Sequence, residues 1–214
     1  MYLHHQYQYD YDIETGKMFI VGLPYKTKYV EVPREKRFER LYSYILIKID
    51  LKKATEYLDI SIQTEDTTIK EGLFKIALIL YIKCFNNSGG GRIQLPLKKV
   101  YKDIPGEPVE CYNKLKKIRD KFIAHDEGDF NEAKLGMVLN ENEECIVGIA
   151  CPEVQSKFDY DETIGILRTL CKVALKANNS FIDKELSIAE SYLCQRDFKH
   201  VSEYPEMTIV NTQI

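Results

Sequence analysis

The sequence predicts a mainly α-helical protein: an up-and-down bundle with a small β-hairpin insertion and an extended or β-stranded N-terminal arm. Three observations predict it. Apolar residues recur at helical spacing over four long segments, whereas one segment after the third of them alternates like a hairpin. Glycine- and proline-rich stretches separate these segments. The 214 residues, 44% of them hydrophobic and 29% charged, suit one globular domain with embellishments.

The N-terminal arm covers residues 1–32 and differs from the rest of the chain in its many tyrosines. Alternating apolar and polar residues predict short strands at Met18 to Val21 and Tyr29 to Val32. The turn-prone residues Gly22-Leu23-Pro24 lie between them and predict a chain reversal. The arm is therefore expected to be separate from the helical domain, which covers residues 33–202.

The first helix of this domain follows Pro33, because the first helical turn tolerates proline. The alternation of isoleucines between residues 45 and 49 also fits a strand, but the flanking segments on both sides are helical in pattern. We therefore favour a helix through Leu58. Its predicted apolar stripe contains Phe38, Leu41, Tyr42, Ile45 and Ile49.

The second helix is expected to begin at one of three possible caps, Asp66, Thr67 or Thr68, and to end before the glycine-rich stretch at 86–91. It is apolar almost all round, which places it in the centre of the bundle or at an oligomer interface. Its predicted main stripe contains Ile69, Leu73, Ile76, Leu80 and Cys84, widened by Phe74, Ala77, Leu78, Ile79 and Ile82.

The remaining elements are a third helix from about Pro108 to His125, a β-hairpin at about 133–151, and a long last helix. The hairpin turns around the polar residues 140–143, and Asp159 or Asp161 opens the last helix. Residues 203–214 are expected to be a flexible tail.

The third helix carries the segment with the most specific functional pattern. Its apolar stripe contains Tyr112, Leu115, Ile118 and Phe122, and Arg119 and His125 lie at its edges. On a straight helix these two side chains point about 120° apart, so they do not converge within one chain. Two copies of the helix, packed through the stripe in a dimer, would bring the Arg119 of one chain near the His125 of the other.

The string from Leu115 to Asp126, which contains Arg119-Asp120-Lys121-Phe122-Ile123-Ala124-His125, resembles the signature of the HEPN superfamily. That signature is an arginine and a histidine with four to six residues between them, and a polar residue often follows the arginine. The segment from Leu115 to Asp126 is similar above all to the corresponding segment of HEPN-like proteins of bacterial abortive-infection and toxin systems. The resemblance implies a HEPN-like bundle, a homodimer and a metal-independent ribonuclease. Glu127 stands where some members have a tyrosine that is nucleotidylated, so that regulation is not expected.

The residue types suit RNA cleavage without a metal. Histidine titrates near neutral pH, so His125 can act first as base and then as acid, while Arg119 presents a permanent charge to the phosphate. Asp120 is expected to orient Arg119 or the histidine of a partner chain. The basic residues Lys116, Lys117 and Lys121 are expected to attract the RNA backbone.

The expected function is therefore an endoribonuclease of a bacterial defence or toxin system, with a dimeric composite site, an RNA substrate and an antitoxin or other protein partner. The expected products are a 2',3'-cyclic phosphate and a 5'-hydroxyl. The alternative is a noncatalytic helical module that dimerises through Leu73 to Ile82 and binds a partner through the hairpin or the arm.

Other classes of function are not expected. The sequence has no C-x-x-C pair, H-E-x-x-H motif or phosphate-binding loop, so no metal or cofactor is predicted. The six cysteines are interpreted as apolar core residues. The most apolar stretch, Leu73 to Ile82, is too short to span a bilayer, and no signal segment is recognisable. We therefore expect a cytoplasmic protein that does not contact a membrane.

Overall fold

The computed structural model describes most of the helical segments and parts of the remaining chain. The described residues are 8–11, 18–21, 30–32, 34–86, 91–120, 131–133, 136–142, 146–150, 153–155, 160–197 and 203–205. They are mainly helical, as predicted, and include short antiparallel strand pairs. None of the described helices is long and apolar enough to cross a membrane.

Five helices and three pairs of short antiparallel strands make up the described structure. The helices are α1 (Glu39–Gln63), α2 (Thr67–Lys83), α3 (Leu97–Val100), α4 (Pro108–Ile118) and α5 (Tyr160–Leu193), and a 3-10 turn at Lys36–Phe38 precedes α1. The strands are β1 (Gln8–Tyr11), β2 (Met18–Val21), β3 (Asn131–Ala133), β4 (Gly136–Leu139), β5 (Ile146–Ala150) and β6 (Glu153–Gln155). The pairs are β1 with β2, β3 with β6, and β4 with β5.

The described parts of the long helices and of the hairpin lie where the sequence predicts them, whereas two short features differ. The predicted continuation of the third helix from 121 to His125 lies outside the described residues. The partner of β2 is Gln8–Tyr11, and Val30 forms only an isolated bridge, so the strand predicted at Tyr29 to Val32 is wrong over its described residues. The helix α3 falls in a segment that was expected to be a linker. Four residues are too few for a helical period to show in the sequence.

The chain divides into two compact units, one of residues 39–185 and one of residues 1–38 with 186–214. In the larger unit, α1 and α2 are antiparallel neighbours. Lys83 Nζ lies 3.3 Å from Asp50 Oδ2, and Ser61 Oγ donates to the Lys70 carbonyl at 3.2 Å. Asp66 caps the start of α2, because its side chain accepts hydrogen bonds from the backbone amides of Thr68 and Ile69.

The helix α5 packs against α1 through Asn178, which is fully buried. Its Nδ2 donates to the Tyr44 carbonyl at 2.9 Å, and Phe181 stacks on the Tyr44 ring with 5.5 Å between centroids. Burial of each aliphatic side chain here contributes about 1.5–3 kcal/mol. The core of the larger unit includes Ile47, Leu51, Ala54, Leu58, Phe74, Leu78, Tyr81, Ile82, Ile164, Leu167, Cys171 and Ala174.

The face that each of α1 and α2 buries differs from the predicted one. Ile45 and Ile49 are 39% and 46% exposed, and Ile69 and Ile76 are 52% and 48% exposed, although the sequence placed all four in apolar stripes. Both helices are apolar on more than one side, so periodicity alone did not distinguish the face that packs inside the chain. Of the cysteines, Cys84 and Cys171 are buried as expected, whereas Cys194 is exposed.

A cluster of four aromatic rings connects α2, α4 and the segment around α3. The rings of Tyr81, Phe85, Tyr101 and Tyr112 contact one another with centroid distances between 5.2 and 6.1 Å. The Tyr81 and Tyr101 hydroxyls lie 2.7 Å apart, and the Tyr101 hydroxyl donates to the Leu170 carbonyl at 3.1 Å. The cluster therefore positions α4 relative to α2.

The smaller unit is organised around Tyr192. The Arg37 guanidinium lies 3.7 Å from the centre of this ring and the Arg196 guanidinium 4.8 Å from it, which gives two cation–π contacts. Arg196 Nη2 also pairs with Glu35 Oε1 at 2.7 Å. The Phe38 ring meets Tyr192 edge to face.

Candidate functional site

The helix α4 carries the described part of the candidate site. Pro108 is the first residue of α4, a position that tolerates proline because a backbone amide there would have no hydrogen-bond acceptor within the helix. Tyr112 and Leu115 are 5% and 2% exposed and belong to the core of their own chain, so α4 is amphipathic as predicted. These two residues of the predicted stripe are therefore packed within their own chain. Phe122 lies outside the described residues, so the packing of two copies through the stripe stays a prediction.

The chain continues beyond α4 in a wider, π-type turn formed by Arg119 and Asp120. The Arg119 amide itself still donates to the Leu115 and Lys116 carbonyls, as in an ordinary or tight helical turn. Turns of the π type place backbone and side chains outside the regular helical positions and occur frequently at functional sites. This turn was not predictable from the sequence, because the spacing of apolar residues indicates a helix but not a local change in its pitch.

Arg119 and Asp120 form an ion pair with Arg119 Nε 3.0 Å from Asp120 Oδ1. Arg119 Nε is buried and lacks an aligned hydrogen bond, so the contact is ionic rather than a directed hydrogen bond. The side chains are 27% and 42% exposed. A partly exposed pair of this kind is worth about 0–1 kcal/mol, so a phosphate group can compete with Asp120 for the guanidinium.

Tyr112 is a polar neighbour of this pair that the sequence analysis assigned only to the apolar stripe. Its hydroxyl donates to Asn86 Oδ1 at 3.1 Å, just beyond the end of α2. Burial raises the pKa of the Tyr112 phenol, and the charge of Arg119 opposes this rise while that of Asp120 adds to it. Arg119 follows Tyr112 by two helical turns, so it lies on the same side of the helix as the hydroxyl that contacts Asn86.

The other predicted site residues are only partly described. Lys116 is half-buried and Lys117 is exposed on α4, next to Arg119. Lys121 and His125 lie outside the described residues. On a helix Lys116 lies one turn before Arg119, on the same side, whereas Lys117 points to another side. The structure thus pairs Arg119 with Asp120, and the position of His125 relative to them stays a prediction. No group of residues suited to hold a metal ion occurs among the described residues.

A second buried cation, Arg92, was not singled out from the sequence. Its Nη1 lies 2.6 Å from Asp50 Oδ2, and Lys83 contacts the same carboxylate at 3.3 Å. Its Nε and Nη2 are buried without a hydrogen-bond partner in the described structure. Two cations therefore share one carboxylate, which leaves a local excess of positive charge near the end of α2.

The comparisons with known proteins add no family. No protein-family model matches the chain, and neither the curated proteins nor the solved structures contain a match.

Proposed function

We propose that the chain is a metal-independent endoribonuclease of a bacterial defence or toxin system. The proposal makes it a member of the HEPN superfamily that acts in the cytoplasm as a homodimer. Its substrate is RNA, and its partner is an antitoxin or another protein. The observation that carries the proposal is the placement of Arg119. A permanent cation stands partly exposed at the π-type turn that follows an amphipathic helix, paired with a carboxylate and one helical turn after Lys116.

The roles follow from the chemistry of each group. His125 takes the proton of the ribose 2'-hydroxyl, which then attacks the adjacent phosphate, and afterwards returns a proton to the leaving 5'-oxygen. Arg119 stabilises the negative charge that builds up on the phosphate oxygens, since its fork matches their geometry. Asp120 is a positioning residue for Arg119, because it contacts the Nε side of the guanidinium.

Lys116 and Lys117 supply the electrostatic attraction that a chain of net charge −3 otherwise lacks. Lys121 is the third member of this proposed RNA-binding group. A composite site across the dimer was expected from helix spacing. Tyr112 and Leu115 are buried within their own chain, so these two residues are not expected to contact the second copy.

The test is cleavage of several labelled RNAs in EDTA by the purified protein. The cleavage rate is expected to fall about a hundredfold or more in Arg119→Ala and in His125→Ala, because each variant lacks a group that acts on the reacting atoms. The rate is expected to fall less in Asp120→Asn. Arg40→Ala serves as the matched control, because Arg40 is an exposed arginine of α1 in a long ion pair, with Arg40 Nη1 3.9 Å from Glu185 Oε1. Equal loss in Arg40→Ala would contradict the assigned role of Arg119.

The second candidate is a noncatalytic dimerisation and partner-binding module. The hairpin β4–β5 favours it, because Met137, Val147 and Ile149 are 67%, 61% and 71% exposed. Apolar side chains this exposed on a two-stranded hairpin are typical of a docking surface. No cutting of any substrate by the wild-type protein, together with unchanged partner binding by Arg119→Ala, would favour this candidate.

A further inference from the structure

The stretch between residues 91 and 120 differs in charge from the rest of the chain. It contains eight lysines and arginines against four aspartates and glutamates, so it carries a formal charge of +4, whereas the whole chain carries −3. The four acidic residues are Asp103, Glu107, Glu110 and Asp120. An excess of positive charge therefore lies in the part of the chain that forms α3 and α4.

Three of these lysines lie on the outer side of α3 and of the turn that follows it. Lys98, Lys99 and Lys102 are exposed, whereas Val100 and Tyr101 between them are only 6% and 3% exposed. We call the three exposed residues the lysine patch. The patch faces solvent, while the residues beneath it belong to the core.

The backbone under the lysine patch is held on both sides of α3. Before α3, the amide of the buried Leu95 donates to the Cys84 carbonyl at 2.9 Å. After α3, the Tyr101 ring stacks on Phe85 in the aromatic cluster. Because the backbone is already ordered, a ligand that binds here has to order only the lysine side chains, which lowers the entropic cost of binding.

The side chains around the lysine patch indicate the class of ligand. Between residues 91 and 120, all of which the structure describes, no large apolar side chain is exposed. Protein interfaces have an apolar core inside a polar rim, whereas cations are sufficient to bind the phosphate backbone of a nucleic acid. The hairpin β4–β5 shows the contrast, since it exposes Met137 and Ile149. The lysine patch thus fits a phosphate backbone better than a protein partner.

We propose that the lysine patch binds the phosphate backbone of RNA at a second place, separate from Arg119. Three exposed acidic residues, Asp103, Glu107 and Glu110, lie between the patch and the lysines of α4 along the chain. The patch is therefore not an extension of the basic group on α4. An RNA strand that reaches both places is held by its phosphates at two separate points.

The distance between these two points sets a minimum length for the RNA, a step that rests on the proposed ribonuclease function. Tyr101 and Tyr112 both contact Phe85, with centroid distances of 5.9 and 5.3 Å, so the end of α3 lies close to Tyr112. Arg119 follows Tyr112 by about 10 Å along a helix. Successive phosphates of a stacked strand are about 3.4 Å apart along its axis, so at least about three nucleotides separate the cut from the patch.

The test is binding of a fluorescent RNA of about 20 nucleotides to the full chain in EDTA, followed by fluorescence anisotropy at several salt concentrations. Every protein in this test carries His125→Ala, so that the RNA stays intact. Lys98→Gln, Lys99→Gln and Lys102→Gln together are expected to weaken binding about tenfold or more at low salt. The slope of log K against log salt is expected to become shallower by about 2, because each lost contact with a single strand removes about 0.7.

The matched control removes the same charge from exposed lysines of α1 and α5, through Lys52→Gln, Lys53→Gln and Lys172→Gln. Its slope is expected to equal that of the parent protein, and circular dichroism confirms that both triple variants stay helical. An equal loss in the control would show attraction by net charge alone and would overturn the proposal. Failure of the parent protein to bind RNA would also overturn it. Polyglutamate of equal charge that competes as well as RNA would assign the patch to an acidic protein instead.

Cleavage separates the lysine patch from the proposed function. With His125 restored, the variant that lacks the three patch lysines is expected to lose about tenfold in kcat/KM for the long RNA relative to a dinucleotide, which is too short to reach the patch. A ratio equal to that of the wild type would contradict the two-point contact. If the wild type binds RNA through the patch but cuts no RNA, the proposed function fails while the lysine patch stands.

Discussion

The hydroxyl of Tyr101 holds the aromatic cluster together, and its removal should cost more than removal of its neighbour's hydroxyl. Tyr101 donates to the Leu170 carbonyl, so the proton between Tyr81 and Tyr101 belongs to Tyr81. Both side chains are buried, at 0% and 3% exposure. Tyr101→Phe therefore removes two hydrogen bonds and leaves the Tyr81 hydroxyl without an acceptor.

A buried donor without a partner costs about 1–3 kcal/mol, and a hydrogen bond contributes about 0.5–1.5 kcal/mol. We therefore expect Tyr101→Phe to lower the free energy of unfolding by about 2–3 kcal/mol. Tyr81→Phe removes one hydrogen bond and leaves the Tyr101 donor bonded to Leu170, so its expected cost is about 1 kcal/mol. The double variant should cost no more than Tyr101→Phe alone, because it also removes the orphaned hydroxyl.

Urea denaturation followed by circular dichroism measures all three differences, at a protein concentration held constant in case the chain dimerises. The reasoning is refuted if Tyr81→Phe costs as much as Tyr101→Phe, or if the two single effects simply add. Either result would show that removal of the Tyr101 hydroxyl does not leave the Tyr81 hydroxyl without an acceptor.

Three further predictions concern the core, a buried thiol and a helix cap. Leu58→Ala is expected to lower the free energy of unfolding by about 2–5 kcal/mol, as urea denaturation would show. Ile60 is half-exposed on the same helix, so Ile60→Ala should lower it far less in a monomer. Burial raises the pKa of the Cys84 thiol from 9.0 to about 12. The free energy of unfolding should fall as pH rises through this interval, since only the unfolded thiol ionises. The fall should be smaller in Cys84→Ala, which lacks this thiol. In the native protein a thiol reagent should label Cys194 and leave Cys84 unmodified until urea is added, as mass spectrometry would show. Asp66→Ala is expected to cost about 1 kcal/mol through loss of the α2 cap, and an equal cost for Thr67→Ala would contradict that assignment.

Long periodic segments explain how much of the fold the sequence predicted. The helices α1, α2 and α5 each present many apolar positions, so their existence was predictable even where their ends were not. The buried face was not predictable for α1 and α2, because isoleucines occur on both sides. Ile76, which the sequence placed in the main stripe, is exposed, whereas Tyr81 is fully buried. Packing against α5 and the aromatic cluster decided the face, and neither is visible in local spacing.

The candidate site shows the same division. The amphipathic pattern located Arg119 and Asp120 at the end of α4, and the structure places them there as a neighbouring ion pair. Tyr112 and its hydrogen bond to Asn86 were not predictable, because the two residues are 26 positions apart and only the packed chain brings them together. The same holds for Arg92 and Asp50, which are 42 positions apart.

Analysis of the RNA ends tests the central claim most directly. The wild-type protein in EDTA should produce fragments with a 2',3'-cyclic phosphate and a 5'-hydroxyl, because the ribose 2'-oxygen is the nucleophile. A substrate with a 2'-deoxy sugar at the cut position should stay intact, and Arg119→Ala should leave both RNAs uncut. Fragments with 5'-phosphate ends, cutting of the deoxy substrate, or no cutting by the wild type would contradict the account.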